Sequence, residues 1–290
     1  MLYIIFIVNQ TTQMTAFSTN DNLDWAVSKR TICVLGATGE MQPIPGKMAT
    51  VREDSDKVLG IVGEDYEVLQ NEDLKSIVQP LVDEQVITVT NQGFLSGGRK
   101  VFIQAEMSES YEVAGEKHKA MLTLLNSHDG TTSVAIGPTF IRVICSNTFA
   151  SAMTKIDQRF RHSAGVTERV LTSTAVNDFI NNALQEYNER VEKLAGTRCT
   201  TEQFRNSLEA IYQKPVAEMR DTAVERLVTL FKGGKGNEGA NFKDAFNAVT
   251  ESSSHYSRKT ASARFYYSNF GQGANINRRA MKVFTELATV

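Results

Sequence analysis

Residue types that can do chemistry are concentrated between Leu125 and Ser163, which holds two of the four histidines and one of the three cysteines. The run His128-Asp129-Gly130 in this stretch could supply a catalytic or metal-binding pair. Aspartate followed by glycine between apolar runs is also one of the strongest short-range signals of a β-hairpin. We therefore predict a hairpin turn, with Asn126 and Ser127 hydrogen-bonding around it and His128 at its tip.

A second set of polar residues in the same stretch is basic, and it comprises Arg142, Arg161 and His162. Two interpretations of this set stay open. In one, a partly buried arginine pairs with a carboxylate such as Asp129 or Asp157. In the other, the three side chains converge on an anionic ligand, and a helix that begins near Asn147 adds backbone N–H donors.

The C-terminal segment combines basic and aromatic residues, and no acidic residue lies between Glu251 and Glu286. Basic groups neutralise phosphates, and aromatic faces stack on unpaired bases without demanding a sequence. The alternative is that the aromatic rings pack into the core and the cations are solvated. The residues of this segment that we predict to contact nucleic acid are Arg258, Lys259, Arg264, Tyr266, Tyr267, Arg278 and Arg279.

Two glycine-rich segments resemble phosphate loops only superficially. Gly97-Gly98 precedes Arg99 and Lys100, but the Walker spacing and a following helix are absent. We predict a hairpin turn whose basic flanks, Arg99 and Lys100, could contact an anion or nucleic acid. The segment Gly233–Gly239 fits neither the Walker nor the Rossmann pattern, and we predict a flexible linker.

Neither a catalytic set nor a metal site is evident. No serine lies in a G-x-S-x-G elbow, and no nucleophile, base and acid occur in a recognisable arrangement. The three cysteines are far apart, which argues against disulfides and for a reducing compartment: Cys33, Cys145 and Cys199. We predict no catalytic residue, no metal and no cofactor. Whether acidic residues of the strand-rich half converge on a metal, as in a nuclease, is a question of geometry.

Composition sets the class of protein. The 290 residues are 41% hydrophobic and 22% charged, as in a globular protein. The formal net charge of −2 gives no global attraction to nucleic acid, so such binding needs a local patch. The apolar run Leu2–Val8 is too short to span a bilayer and lacks the features of a signal peptide. We expect a cytoplasmic protein in a host cell, with no membrane association.

Hydrophobic periodicity predicts strands up to about Cys145, interrupted by one helix from Asn71 to Val82, and helices thereafter. The predicted fold is α+β, with a strand-rich antiparallel N-terminal half packed by helices and a helical C-terminal half. Residues 1–20 would form an extension, 21–165 the strand-rich part and 166–290 the helical part, which could also form one integrated domain. One later helix is predicted to begin near Phe149, and another is predicted to be capped by Thr200 or Thr201 and to end at Tyr212. The remaining predicted helices are Val166–Leu194, Pro215–Phe231, Phe242–Tyr256 and Arg278–Leu287.

Several motifs, in order along the chain, are typical of one family. They are Leu59-Gly-Ile-Val-Gly63, Tyr66-Glu-Val-Leu-Gln-Asn71, Gly93-Phe-Leu-Ser-Gly-Gly-Arg-Lys-Val-Phe102, Asn126-Ser-His-Asp-Gly130, Ile141-Arg-Val-Ile-Cys-Ser-Asn-Thr148, Arg161-His-Ser163 and Ala245-Phe-Asn-Ala-Val-Thr-Glu251 followed by His255. The chain thus resembles, from about Leu23 to Leu287, the phage/plasmid-like proteins classed as domain of unknown function 932. Phe149 stands where the family has an aliphatic residue after Asn-Thr. This exchange of one apolar residue for another is typical of core positions and puts no functional residue in doubt.

The resemblance implies a setting on phages, prophages and conjugative plasmids, and it implies no activity. We therefore expect a non-enzymatic protein that binds single-stranded DNA or assists DNA recombination, replication or transfer. A second hypothesis is an interaction protein that counters a host defence or SOS component, with the apolar stripe of the helix at 166–194 as its surface or as a homo-oligomer interface. A third is a metal-dependent hydrolase or nuclease.

Overall fold

The structure, a computed structural model, describes residues 21–142, 147–150, 158–171, 176–258 and 261–289. The chain divides into two compact units that interleave along the sequence. The first unit comprises Met1–Ala105, Thr123–Ile136 and Gln158–Thr174, and the second comprises Glu106–Leu122, Gly137–Asp157 and Ala175–Val290.

A three-stranded antiparallel sheet lies in the first unit, in the order β1-β2-β3. Its strands are β1 (Val27–Leu35), β2 (Met41–Arg52) and β3 (Lys57–Gly63). Alternation of apolar and polar residues gives each strand one face that can be buried. On that face Ile32, Ala49 and Val51 form a buried cluster.

The other sheet has six strands: β4 (Ile87–Leu95), β5 (Lys100–Val113), β6 (Glu116–Ser127), β7 (Val134–Arg142), β8 (Asn147–Ala150) and β9 (Gln158–Phe160). Their order is β4-β5-β6-β7-β8, and β9 pairs with β7. β7 pairs antiparallel with β9 near Val134 and with β8 near its end, where Arg142 lies opposite Asn147. The turns predicted at Gly97-Gly98 and His128-Asp129-Gly130 connect β4 to β5 and β6 to β7, so both hairpin predictions are confirmed.

The predicted helix beginning near Phe149 is wrong, because residues 147–150 form strand β8. Asn147 and Thr148 suit a helix N-cap, but the same residue types also suit a strand that follows a turn. The partner strand β7 decides the outcome, since its backbone groups pair with those of β8 from Arg142 to Thr139. The helix N-terminus that was to assist anion binding at this position is therefore absent from the described part of the chain.

The helices are α1 (Asn71–Asp83), α2 (Val166–Leu171), α3 (Val176–Gly196), α4 (Thr201–Tyr212), α5 (Asp221–Gly233), α6 (Phe242–Glu251), α7 (Ala261–Asn269) and α8 (Gln272–Leu287). A short 3₁₀ helix, Val216–Glu218, precedes α5, and a π-helical turn, Ser252–Tyr256, continues α6. The predicted cap of α4 is confirmed, because the Thr200 hydroxyl accepts from the Gln203 N–H and the Gln203 side chain accepts from the Thr200 N–H. With strands in the first half and helices in the second, the α+β prediction is confirmed.

The core of the second unit is aromatic. Phe204 stacks on Phe231 with ring centroids 4.9 Å apart, and Phe284 lies 5.8 Å from Phe242. These rings come from α4, α5, α6 and α8, and all four are buried. Burial of such large side chains supplies much of the stability of a helical unit.

The glycine-rich segment between α5 and α6, predicted to be a flexible linker, is held by two buried carboxylates. Asp244 accepts hydrogen bonds from the N–H groups of Glu238 and Ala240, at 3.3 and 3.0 Å. Glu251 accepts one from the N–H of Lys235 at 3.3 Å. Because a buried carboxylate needs donors, the loop backbone and the two acids stabilise each other.

The predicted helix at 166–194 is described as two helices, α2 and α3, and residues 172–175 between them lie outside the described residues. The apolar stripe of α3 contributes Ala183, Tyr187, Val191 and Leu194 to the buried core. Tyr187 stacks on Phe140 within the second unit, at 4.4 Å between ring centroids. The stripe is therefore already covered within the chain, and the interface suggested for it lacks an exposed apolar face at these positions. Among the described residues, no helix is long and apolar enough to cross a membrane.

The β6–β7 turn packs tightly against strand β3 at Gly60. A Cβ atom added to Gly60 would lie 2.5 Å from the Cα of Asp129, a distance at which the backbone must move. A Cβ atom added to Gly63, three residues further along β3, would have no other atom within 4 Å. The two glycines thus lie in the same strand, but only Gly63 has room for a side chain.

We predict that Gly60→Ala lowers the free energy of unfolding by about 1 to 3 kcal/mol because it overpacks this contact. Gly63→Ala should leave stability unchanged or raise it by up to about 1 kcal/mol, since alanine reduces the entropy of the unfolded chain. Urea unfolding of both variants measures the difference. Equal stabilities for the two variants would contradict the close approach of β3 and the turn.

Candidate functional site

The turn between β6 and β7 is organised by Asp129. Its carboxylate accepts hydrogen bonds from the hydroxyls of Ser127 and Thr131, both at 2.6 Å, and from the N–H of Thr131 at 3.0 Å. Gly130 follows with a φ of 71°, the left-handed region that glycine adopts without strain. These bonds lower the pKa of Asp129 against the opposing effect of burial, and the positive charge of Lys100 assists them. The aspartate is thus a turn-forming residue.

His128 does not lie at the tip of this turn, as predicted, but is fully buried. Its N–H donates to the carbonyl of Arg99 at 2.7 Å, and its carbonyl accepts from the Thr50 hydroxyl at 2.6 Å. The edge of the imidazole faces Trp25, with ring centroids 5.5 Å apart. The backbone of His128 is therefore fixed by β2 and by the start of β5.

The imidazole of His128 has one hydrogen-bond partner, Asn71 at the start of α1. The Asn71 amide nitrogen donates to the carbonyls of Leu23 and Trp25, at 3.2 and 2.9 Å, which leaves its oxygen as an acceptor. That oxygen lies 2.9 Å from Nε2 of His128, so Nε2 must carry the proton. Nδ1 is buried and has no hydrogen-bond partner among the residues that the structure describes.

Burial, assisted by the charge of His162 and opposed by that of Asp129, lowers the pKa of His128 to about 3. His128 is consequently neutral at physiological pH, where it cannot act as a general acid. The histidine that the sequence suggested as a catalytic or metal-binding residue is instead part of a buried structural network.

A pocket of about 270 Å³ opens beside the turn. We call it the His162 pocket, and its lining residues are Tyr66, Gly130, Thr131, Thr132, Ser133, Arg161 and His162. Three backbone segments supply them: the stretch before α1, the turn between β6 and β7, and the residues that follow β9. All of them belong to the first unit.

His162 is held in one tautomer. Its Nδ1 lies 3.0 Å from the carbonyl oxygen of Glu67, so Nδ1 donates and Nε2 is an acceptor. The ring stacks on Tyr66, with centroids 4.6 Å apart and planes 19° from parallel. Burial lowers the pKa of His162, although the Glu67 carbonyl partly compensates. Nε2 is buried, and within the described part of the chain it has no hydrogen-bond partner.

Arg161 lines the same pocket and its side chain is exposed. Its backbone carbonyl accepts from the guanidinium of Arg169 at 2.9 Å, and Arg169 also donates to the carbonyls of Ser163 and Ala164. Arg169, which sequence reasoning missed, thereby shapes the loop that presents Arg161 and His162. The carboxylate of Asp129 is bound by hydroxyls rather than by Arg161, and Asp157 lies outside the described residues.

Of the other basic residues predicted with Arg161 and His162, Arg142 ends β7 in the second unit, and its side chain lies outside the description. Arg99 immediately precedes β5 and Lys100 begins it, and neither lines the His162 pocket. Among the described side chains of the predicted set, the structure therefore brings Arg161 and His162 together at this pocket.

In the C-terminal segment, arginines stack on tyrosines. The guanidinium of Arg258 lies 4.3 Å from the centre of the Tyr267 ring. Arg264 donates to the carbonyl of Arg258 at 2.9 Å, which links the end of the π-helical turn to α7. Arg258 is exposed, and Tyr267 is partly buried, which raises its pKa.

A second pair, Arg226 and Tyr256, was not among the predicted residues. The Arg226 guanidinium lies 5.7 Å from the centre of the Tyr256 ring, and Tyr256 is 51% exposed. The sequence assigned Tyr256 to the end of a core helix, whereas it ends the π-helical turn. Its position inside the segment without acidic residues was the available signal.

The remaining predicted residues of this segment have structural contacts or lie outside the description. Arg279 donates to the carbonyl of Ile211 at 2.6 Å and so caps the end of α4. Arg278 donates to Asn275 of its own helix. Tyr266 lies 6.4 Å from Phe270, ring centre to ring centre, and Lys259 is outside the described residues.

Within the described residues, no group of three or more His, Cys, Asp or Glu side chains could hold a metal ion. Cys33 and Cys199 are buried free thiols. Burial and the nearby charge of Asp244 raise the pKa of Cys199 to about 12. A thiol with so high a pKa is a poor nucleophile at neutral pH.

Comparison with known protein families gives a match over most of the chain. Residues 58–281 match the family model described as "Domain of unknown function (DUF932)". This range includes the His162 pocket and both arginine–tyrosine pairs. No curated protein and no solved structure matches the chain.

We predict that the buried His128 makes the protein acid-sensitive. The unfolded chain binds a proton near the ordinary pKa of 6.5, whereas folded His128 does so only at about 3. Stability from this residue is therefore complete above pH 6.5 and falls by up to about 1.4 kcal/mol per pH unit below it.

His128→Gln keeps a donor for Asn71 but cannot titrate. It should be less stable than the wild type at pH 7, because its fit is poorer, and the difference should shrink toward pH 4. Urea unfolding between pH 7 and pH 4 measures both curves, and His162 contributes equally to each. Parallel curves would show that His128 is not the group responsible.

Proposed function

The chain belongs to the family of the domain of unknown function DUF932, and we propose that it binds single-stranded DNA through an arginine–tyrosine surface of the second unit. We define the Arg–Tyr surface by five residues: Arg226, Tyr256, Arg258, Arg264 and Tyr267. The observation that carries the proposal is the pair of stacked contacts, Arg226 with Tyr256 and Arg258 with Tyr267.

The chemistry of this surface suits unpaired nucleotides. A base can stack on an exposed tyrosine ring or on the plane of a guanidinium, and each such contact is worth about 1 to 3 kcal/mol. The guanidinium groups also neutralise backbone phosphates. Both contributions are independent of sequence, as expected for a protein that coats or anneals single strands.

The charge distribution supports the same proposal. The chain has a formal net charge of −2, so attraction to a polyanion must be local. From Ser252 to Thr285 the sequence has no acidic residue, so Arg258 and Arg264 have no acidic neighbour within this segment. Arg279 is excluded from the surface because it caps α4, and Arg278 because it bonds within its own helix.

The biological role that fits such binding is assistance in DNA replication, recombination or transfer. A mobile-element protein of this kind would act in the cytoplasm of its host, without catalysing a reaction itself.

We predict a measurable salt dependence for the binding of a labelled oligo(dT). Three arginines that each neutralise one phosphate give a slope of log K against log salt of about −2 for a single strand. Tyr256→Ala should weaken binding by about 1 to 3 kcal/mol and leave the slope unchanged, because it removes stacking alone. Arg258→Ala should weaken binding and make the slope less steep by about 0.7.

The matched control is Arg205→Ala, which also removes one exposed arginine but breaks an ion pair with Glu225 instead of a tyrosine contact. Its affinity should differ little from that of the wild type. Fluorescence anisotropy between about 20 and about 200 mM salt, a range over which the screening length changes severalfold, supplies all four curves. Absence of binding at the lowest salt, or equal losses for Arg205→Ala and Arg258→Ala, would overturn the proposal.

A further inference from the structure

The His162 pocket has the size of a site for a small group. Its volume of about 270 Å³ lies just below the range of about 300 to 1,000 Å³ that is typical of drug-sized ligands. Its lining is rich in hydroxyl groups and includes a guanidinium: Thr131, Thr132, Ser133 and Arg161. The hydrogen-bonding groups of these residues and of His162 set the requirements for a ligand.

The first requirement comes from His162. The Glu67 carbonyl fixes the proton on Nδ1, so Nε2 presents a lone pair. This atom is buried, and none of the described residues donates a hydrogen bond to it. A buried acceptor without a donor costs about 1 to 3 kcal/mol, and a ligand that brings a donor would recover this free energy.

The second requirement comes from hydrogen-bond donors at the pocket, in contrast to the acceptor Nε2. The Arg161 guanidinium forms no hydrogen bond or ion pair with any described residue, and the same is true of the hydroxyls of Thr132 and Ser133. These groups call for a ligand with several acceptor oxygens and a negative charge.

One negative charge beside the pocket belongs to Asp129, which directly precedes the lining residue Gly130. Its carboxylate is engaged by Ser127 and Thr131, and the charge of Lys100 acts on it. The acid is thus compensated within its own turn, and Arg161 remains as a cation at the pocket.

We propose that the His162 pocket binds a phosphate monoester group or inorganic phosphate. Such a group has negatively charged oxygens for Arg161, Thr132 and Ser133. A monoester, whose second pKa is near 6, retains a P–OH in part of the population at neutral pH, whereas both forms of inorganic phosphate present at that pH carry one. This O–H donates to Nε2 of His162. Sulfate has the same shape and charge but no proton to donate.

The phosphate could come from two sources, a free phosphate or mononucleotide, or the 5′-phosphate end of a DNA strand. The chemistry that the pocket recognises is the same in both. The proposal does not depend on the Arg–Tyr surface, because it concerns a pocket of the other unit.

Titration of the full-length chain with inorganic phosphate and, separately, with sulfate tests the proposal by NMR. The signals to follow are the backbone amides of residues 130–133 and the imidazole nitrogens of His162. We expect saturable shifts with phosphate and an affinity for sulfate that is at least about tenfold weaker, since one charge-assisted hydrogen bond is missing.

Two variants separate the contribution of the Arg161 cation from that of the His162 Nε2 acceptor. Arg161→Gln removes the cation and should weaken phosphate binding by about tenfold to a hundredfold. His162→Asn keeps a donor for the Glu67 carbonyl but lacks the Nε2 acceptor, so it should bind phosphate and sulfate equally. If His162→Asn does not fold, Ser133→Ala replaces it, with a loss of affinity expected for both anions.

The matched control is Arg159→Gln, which makes the same charge change in β9, two residues before Arg161 and outside the pocket lining. It should bind phosphate as the wild type does. Absence of shifts at residues 130–133, equal affinity of the wild type for phosphate and sulfate, or equal losses for Arg159→Gln and Arg161→Gln would each overturn the proposal.

A last comparison separates the two sources of phosphate. Oligo(dT) with a 5′-phosphate and the same oligonucleotide with a 5′-hydroxyl are titrated into Tyr256→Ala, in which stacking on the Arg–Tyr surface is weakened. If the 5′-phosphorylated oligonucleotide shifts residues 130–133 and the 5′-hydroxyl oligonucleotide does not, the ligand is a strand end. If inorganic phosphate shifts them and neither oligonucleotide does, the ligand is a free phosphate. Because inorganic phosphate is tested without DNA, failure of DNA binding and failure of this pocket give different results.

Discussion

The hydrogen bond between Asn71 and His128 is the constraint on which the first unit depends. It joins the first residue of α1 to the turn between β6 and β7, 57 residues apart in sequence. The same asparagine holds the carbonyls of Leu23 and Trp25. Since every polar atom of its amide has a partner and the site is buried, its replacement would leave several groups unsatisfied at once.

This network also determines where the His162 pocket can form. His128 is bound by Arg99 and Thr50, so the turn that follows it cannot shift, and Gly60 lets β3 approach the backbone of Asp129. The residues of the turn then form one wall of the pocket. Glu67 fixes the other wall through two hydrogen bonds with His162. The Glu67 N–H donates to the His162 carbonyl, and the Glu67 carbonyl accepts from Nδ1 of the imidazole. The pocket is therefore built on a buried, hydrogen-bonded core.

The sequence was sufficient for features that short-range chemistry decides. The Asp129-Gly130 turn and the Thr200 cap follow from residue types a few positions apart. It was insufficient where a distant partner decides. Burial of His128 depends on Asn71, β8 forms because β7 is present, and Arg279 is a cap because the end of α4 lies beside it. In the candidate surfaces, the residue types were foreseeable, but their partners were not.

The two arginine–tyrosine pairs are not equivalent, and their difference indicates how a single strand would bind. Tyr267 is partly buried, with the backbone of Gly273 close to its ring and Arg258 over its centre. Little of this ring remains for a base, so Tyr267 acts mainly by orienting the guanidinium of Arg258. Tyr256 is half exposed, and Arg226 lies farther from it. A base that stacks on Tyr256 displaces a weak cation–π contact at an exposed site, worth about 0.5 to 1 kcal/mol, and gains a stacking contact of greater strength. Tyr256 should therefore supply the stacking, and Arg258 the phosphate contact.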